Sequence, residues 1–516
     1  MTAGVASPRP RGGAGVPPSS PGPGTRLAPL AVGPVLAVAA GLLALELSVA
    51  GRYGFHRDEL YFLACARHLA WGYVDQPPLV PAMARLSTAL FGRSVVGLRL
   101  FPALAASAVV VLAGLTAREL GGGRRAQLLA GLATATAAEV AAMVHLLSTA
   151  AFDLFFWAVV IWMVLRLLRT SDPRWWVAIG VATGAGLLNK DNLAFLLVGI
   201  AVGLIVGGRA RLLTSRWLAL GVAVAVVVVS PNLVWNAQHH WAALEMMQSL
   251  HAENSGLGVT LTYVPVQLVV VGVVLLPFWL AGLVWLLRSS FARPLGIAYL
   301  ALVVMYALSG GKSYYQAGIY LALFAAGGVW VEQRLAVGRR PGFKVIVAAM
   351  VVGLLTSMPL TLPVLPATDL ATGPWEGQIN KDLSATVGWP QFVDQVARIA
   401  ATLPRSERRT LVVYTGDYGA AGAIDLLGPG HGLPHAISGH NNYWLWGWGQ
   451  ATNGATTIAI NLPGAYLKTI FADVTPAGTV ITPHDVWTEE RGAPIYICRH
   501  QRQTWARLWP RAKHYD

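Results

Sequence analysis

The chain of 516 residues is 55% hydrophobic and only 12% charged, with 38 Lys and Arg against 24 Asp and Glu. Soluble domains carry about twice that charged fraction, and apolar runs near or above the ~18-residue spanning length recur between residues 27 and 363, so the sequence reads as a polytopic α-helical membrane protein. The formal charge of +14 lies largely in short loops between apolar runs and reports topology rather than nucleic acid, while two cysteines exclude a disulfide scaffold or a cysteine-rich metal site.

Residues 1–26 are rich in Pro, Gly and Ser and carry Arg9, Arg11 and Arg26, a composition that cannot bury a core and predicts a disordered cytoplasmic tail. The apolar run that follows is long and has no clear small-residue cleavage site after it. It is therefore expected to stay as the first span, ending near Ala50.

The first polar interruption, residues 51–95, holds the stretch FHRDELYFLACARHLAWGYVDQPPL. Charges beside a bilayer are costly unless solvated, paired or used. Adjacent side chains on a helix point about 100° apart, so of Asp58 and Glu59 one acid faces a reaction centre while its neighbour holds a helix end or a basic partner. The bland alternative is a solvated helix start, with acids near the positive end of the dipole. His56, Arg57 and Tyr61 flank the pair and supply donors for an anion or a sugar. Asp75 precedes Pro77-Pro78, whose fixed φ makes a rigid turn; it either shapes that turn or stands as a second acid beside the pair. Leu60, Leu63, Ala64 and Leu69 recur at helical spacing, as in short helices lying in the interface.

The positive-inside bias orders what comes next. Arg118, Arg124 and Arg125 follow the second run, Arg166, Arg169 and Arg174 the fourth, Arg209, Arg211 and Arg216 the sixth, Arg288 and Arg293 the eighth, and Arg334, Arg339, Arg340 and Lys344 the tenth. With a last run at 345–365 this gives about eleven spans. It leaves 51–95, 145–151, 189–192, 236–260 and 310–315 on the outer side, together with everything after 366. Lys190, in Asn-Lys-Asp-Asn, and Lys312, in Gly-Gly-Lys-Ser-Tyr-Tyr, are cations on that side: donors for a lipid phosphate, or ordinary snorkelling lysines. The second motif lacks the spacing of a nucleotide-binding loop. His239 and His240 have no ligand one helical turn on, so metal binding gains little support there.

Residues 366–516 have the composition of an α/β domain, with strands expected at 411–415, 456–461 and 495–498 and a helix over AAGAIDLL. The run NNYWLWGWG (441–449) packs aromatics among amides, suited to a sugar or to a packed corner on the interface.

In order, Asp58-Glu59, GYVDQPPL, LLNKDN, SPNLVWNAQHHW and GGKSYYQAGIY resemble the bacterial glycosyltransferase family 39 proteins. These are integral membrane enzymes of the GT-C fold, grouped with protein O-mannosyltransferases and related to the aminoarabinose transferases that modify lipid A. The resemblance covers about residues 30–365. It implies an inverting transfer, outside the bacterial plasma membrane, of a sugar from a polyprenyl-phosphate donor to a hydroxyl of a glycan, lipid or protein acceptor. Asp58 then stands as base with Glu59 beside it, and Lys190 lies near the lipid phosphate with Lys312 assisting. No cofactor is fixed, and a divalent metal is left open. The competing reading is a transporter or flippase of lipid-linked sugars, which would place broken helices and ionisable groups near mid-membrane. Here the ionisable groups concentrate at the outer edge, apart from Glu46, Glu139 and Asp153.

Overall fold

The computed structural model describes residues 27–254, 256–338, 342–371 and 381–516; the tail at 1–26 and the loop arginines Arg339 and Arg340 lie outside them. Among the described residues five helices are long and apolar enough to cross a membrane: Val32–Val49, Val95–Glu119, Thr149–Thr170, Arg216–Gln238 and Phe343–Thr361. Two further spans arise if each bent pair counts as one. Arg124–Thr136 and Ala138–Val144 meet at 60°, and Thr260–Val269 and Val273–Arg288 at 81°. The bends have local causes. Ala137 is extended, with ψ of 123°, and Gly272 sits at φ of 99°, where a Cβ would be strained. Leu79–Phe91, Trp175–Leu187, Leu193–Val206 and Arg293–Ser309 are shorter apolar helices. Where the sequence suggested about eleven spans, the apolar runs divide among full, bent and short helices.

Close backbone approach joins these helices. A Cβ on Gly180 would lie 2.1 Å from the carbonyl oxygen of Gly221, so Trp175–Leu187 and Arg216–Gln238 touch through small residues, as membrane helices do when no hydrophobic force drives them together. The bundle has two distinct ends. At one, the buried carboxylate of Glu119 accepts from Arg166 and Arg169, and Glu332 accepts the backbone N–H groups of Gly123, Arg125 and Ala126 at the start of a helix. At the other end the loop segments converge. Leu79 donates its N–H to the Leu188 carbonyl at 3.0 Å, and Lys190 reaches the rings of Tyr314 and Tyr315.

Over that second end lies the C-terminal α/β region. Among the described residues its five strands are β1 (Val412–Thr415), β2 (Ala436–Ser438), β3 (Thr457–Ile460), β4 (Phe471–Thr479) and β5 (Pro494–Gln501), in the order β2-β1-β3-β5-β4. β1 runs parallel to β2 and β3, and β5 antiparallel to β3 and β4. β1, β3 and β5 fall where the sequence suggested strands. β2 is too short to show a period. β4 carries Pro476 and Gly478 at a register shift and stands at the sheet edge, where such residues are tolerated.

The junction is apolar and close. Helix Tyr418–Leu427 lies against helix Arg57–Cys65, and a Cβ on Gly422 would come 2.9 Å from the Leu60 carbonyl carbon. Leu60 and Leu63 share one buried cluster with Ala420, Ala423 and Ile424. The stretch GAAGAIDLL is thus a small-residue face that lets two helices from distant parts of the chain dock. Cys65 and Cys498 are both buried and free, in separate clusters.

Candidate active site

The site is built on the N-terminus of helix Arg57–Cys65. His56 caps it: the Asp58 N–H donates to His56 Nδ1 at 3.1 Å, while the His56 N–H donates to Glu59 Oε2 at 2.8 Å, a reciprocal capping box. Glu59 is fully buried and turned into the protein. It accepts from Arg99 Nε at 3.0 Å, Arg99 Nη2 at 2.8 Å and the Leu147 N–H at 3.0 Å. Arg99 spends its remaining donors on the Ala50 and Gly54 carbonyls, each at 2.6 Å. Every charge in this pair is satisfied, so Glu59 fixes the helix that carries Asp58 and borders neither cavity described below.

Asp58, half-buried, points the other way. Its Oδ1 accepts the hydroxyl of Tyr418, from the C-terminal region, at 2.8 Å. His56, Arg57 and Asp58 line a polar cavity of about 160 Å³ with Lys381, Tyr418, Trp487 and Glu490. Arg57 pairs with Glu489 and stands 4.9 Å from the centre of the Tyr418 ring.

A second, larger cavity of about 600 Å³ takes Asp75, Lys190 and Lys312. Its apolar wall comes from Leu244, Met246, Met247 and Leu250, on helix Ala242–Asn254. Lys190 Nζ lies 4.6 Å from the Tyr315 ring centre and 5.0 Å from that of Tyr314. The loop bearing it is held from below: Asn192 donates to Asp153 at 2.7 Å and to the Tyr315 carbonyl at 2.8 Å, and accepts from Tyr306 at 2.6 Å.

Two tyrosines link the cavities. Tyr61 donates to Asp75 Oδ1 at 2.8 Å, and its ring lies 4.7 Å from that of Tyr418, the donor to Asp58. The two acids titrate in opposite senses. Burial alone pushes the Asp58 carboxyl up, but His56, Arg57, the Tyr418 hydroxyl and Lys312 outweigh it and hold the group below the usual carboxylate range. Asp75 is pushed up to about 6, by burial first, against the hydrogen bond from Tyr61 and with the Asp58 charge adding to the rise. Burial lowers the Lys190 ammonium, opposed by Asp153 and reinforced by Lys312.

Of the sequence candidates, His56, Arg57 and Asp58 thus share one cavity and Asp75, Lys190 and Lys312 the other, with Tyr61 at the link. The sequence reading missed Arg99, Tyr418, Trp487 and Glu490. Arg99, a lone charge in the apolar run VVGLRLF, was a usable signal; Tyr418, Trp487 and Glu490 carried none, because only tertiary contact brings them near Asp58. Among the described residues one group has metal-like clustering, His440, His514 and Asp516, with ligand atoms within 4.8 Å of one another. Hydrogen bonds already use these side chains: His440 Nδ1 accepts the Tyr418 N–H, His440 Nε2 pairs with Asp516, and His514 Nε2 meets the Gly416 carbonyl. They brace the turn that presents Tyr418.

Known proteins resemble this chain in sequence and in fold. Residues 75–235 match the family described as dolichyl-phosphate-mannose-protein mannosyltransferase. Over 208 residues the chain is 29% identical to the lipid A galacturonosyltransferase RgtD of Rhizobium johnstonii, a match covering 40% of this chain and 43% of that protein, so less than half of the relative's length is spanned. Among solved structures, ArnT from Cupriavidus metallidurans in the apo state superposes with a TM-score of 0.57 at 17% identity, over 90% of this chain and 97% of that one. The same protein bound to undecaprenyl phosphate gives 0.57 at 18% identity over the same shares. Likeness at that identity establishes a shared fold.

Proposed function

We propose that this chain, which belongs with the GT-C glycosyltransferases of the family 39 type, moves a sugar from a polyprenyl-phosphate donor to an acceptor hydroxyl on the outer side of the bacterial plasma membrane. The observation that carries the reading is the placement of Asp58. It borders a polar cavity and lies within electrostatic reach of Lys312, which lines the large apolar-walled cavity with Lys190.

In this reading the large cavity receives the lipid end of the donor. Its methionine and leucine wall suits a prenyl chain, and Lys190 and Lys312 meet the phosphate; the relative ArnT was solved with undecaprenyl phosphate. The acceptor hydroxyl attacks the anomeric carbon from the face opposite the phosphate. A carbon–oxygen bond forms to the acceptor, the bond to the phosphate oxygen breaks, and polyprenyl phosphate leaves with the electron pair. The acceptor's proton passes to Asp58, a general-base contribution of typically about 10²–10⁴-fold. The lysines stabilise the charge growing on the phosphate, an effect strengthened beside the low-dielectric bilayer. Inversion follows from the single displacement. Glu59 acts by position, holding the helix that aims Asp58. Asp75 is the less favoured base, because it lines the lysine-bearing cavity assigned to the donor rather than the polar one.

The transporter or flippase reading needs free ionisable groups within the bundle. Glu46 instead meets His145 and Asp153 is bonded to Asn192, so two of the three acids named above are held by partners, and Glu139, in the first turn of Ala138–Val144, is the group left to that reading. The test is transfer of label from a polyprenyl-phosphate sugar in membranes, wild type against Asp58→Asn. Loss of transfer by a folded variant is expected; undiminished transfer removes the base assignment.

A further inference from the structure

The polar cavity at Asp58 has walls from two regions far apart in sequence. His56, Arg57 and Asp58 come from the first loop, and Tyr418, Trp487 and Glu490 from the C-terminal region. Two nitrogens of its lining residues, Arg57 Nε and His56 Nε2, are buried without a hydrogen bond among the described residues. His56 Nδ1 accepts the Asp58 N–H, which leaves the ring hydrogen on Nε2. That Nε2 is buried and makes no hydrogen bond among the described residues; the nearest carboxylate oxygen, on Asp382, is 3.8 Å away. A buried N–H bordering a cavity and lacking an acceptor points to an oxygen supplied from outside.

Charge and wall chemistry narrow the ligand. The carboxylates of Asp58, Asp382, Glu489 and Glu490 outnumber the cations of Arg57 and Lys381 around this cavity, so an anionic headgroup is disfavoured. Trp487 borders it with an aromatic surface, and polar groups line the rest, which suits a hydroxylated ring better than an alkyl chain. We propose that this cavity is the acceptor subsite, and that the C-terminal region shapes it for a sugar ring that is uncharged or carries an amine. His56 Nε2–H donates to one ring hydroxyl oxygen while the neighbouring hydroxyl lies against Asp58. The inference deepens the transferase reading and rests on it for the word acceptor.

The experiment uses the full chain in lipid nanodiscs saturated with undecaprenyl phosphate and measures saturation transfer to three probes. These are methyl α-D-glucopyranoside, methyl 2-amino-2-deoxy-α-D-glucopyranoside and methyl α-D-glucopyranosiduronate. The first two are expected to bind and the uronate to show no saturation. Trp487→Ala, a change at a half-exposed side chain, should weaken the first two by roughly tenfold and leave undecaprenyl phosphate binding unchanged. His56→Ala should weaken them as well, although its loss of the helix cap requires a melting curve beside it. Equal binding of the uronate, undiminished binding by Trp487→Ala, or no sugar binding at all would overturn the subsite. The probes report binding and not turnover, so the two readings fail separately. Transfer that survives Asp58→Asn would remove the mechanism, whereas failure here would remove the subsite and leave Asp58-dependent transfer intact.

Discussion

The two cavities at the loop end of the bundle are opposites in chemistry. The larger has an apolar wall and two lysines; the smaller is polar, with more carboxylates than cations. Each borders one of two acids, and each acid takes a hydroxyl from one of two neighbouring tyrosines. The acid at the lysine-lined cavity is pushed up to about 6, while the acid at the acidic cavity is held down. Burial decides for Asp75, against the hydrogen bond from Tyr61, while His56, Arg57 and the Tyr418 hydroxyl decide for Asp58. A transferase that must bind an anion on one side and deprotonate a neutral hydroxyl on the other needs that division.

Breaking the clamp common to both sides should have the largest effect. Arg99→Leu leaves Glu59 buried and unpaired, an expected loss of about 3–5 kcal/mol, read as a lower melting temperature in detergent together with loss of both binding functions. A variant that melts like wild type would show the clamp to be dispensable. Next comes Lys190→Ala, which removes a charge-assisted contact and should weaken undecaprenyl phosphate by about ten- to a hundredfold while sugar binding in the small cavity persists. An unchanged affinity would return Lys190 to a snorkelling role.

Tyr418→Phe is smaller and more local. The lost hydroxyl is worth ~1 kcal/mol. Because that bond lowers the Asp58 carboxyl, the acid limb of kcat/KM should move upward. A loss of activity without movement of the limb would assign the residue to folding alone.

The smallest effect is on the pH dependence of stability, where the two acids carry opposite signs. Asp75, raised when folded, contributes stability that is present below its ordinary value of 3.8 and lost as pH rises through about 6. Asp75→Asn should flatten that decline. Asp58, depressed when folded, contributes stability that is present above the ordinary carboxylate value and lost as pH falls through its folded value. Asp58→Asn should flatten the acid side only. Melting curves from about pH 3 to 8 read both at once, and equal slopes for the two variants would contradict the contrast.

Much of this was legible in the sequence because membranes impose simple rules. Apolar runs, loop arginines and the polar stretch around Asp58 follow from solvation costs that any chain must meet. That Asp58 and Glu59 point apart also followed from helix geometry; which of the two borders a cavity did not. What escaped was tertiary. Tyr418 reaches Asp58 because Gly419 and Gly422 allow close docking on Arg57 and Leu60, and small residues in an alanine-rich helix announce no partner. Bent helices escaped for a related reason: an apolar run reads the same whether Ala137 or Gly272 interrupts it or not.

The most direct test crosses the two cavities. Undecaprenyl phosphate affinity, and single-turnover transfer at saturating polyprenyl-phosphate sugar, are measured for wild type, Asp58→Asn and Lys190→Ala in the same membranes. The account predicts that Asp58→Asn keeps its affinity and loses transfer by about 10²–10⁴-fold, while Lys190→Ala loses affinity first. Transfer retained by Asp58→Asn at full donor occupancy would contradict it.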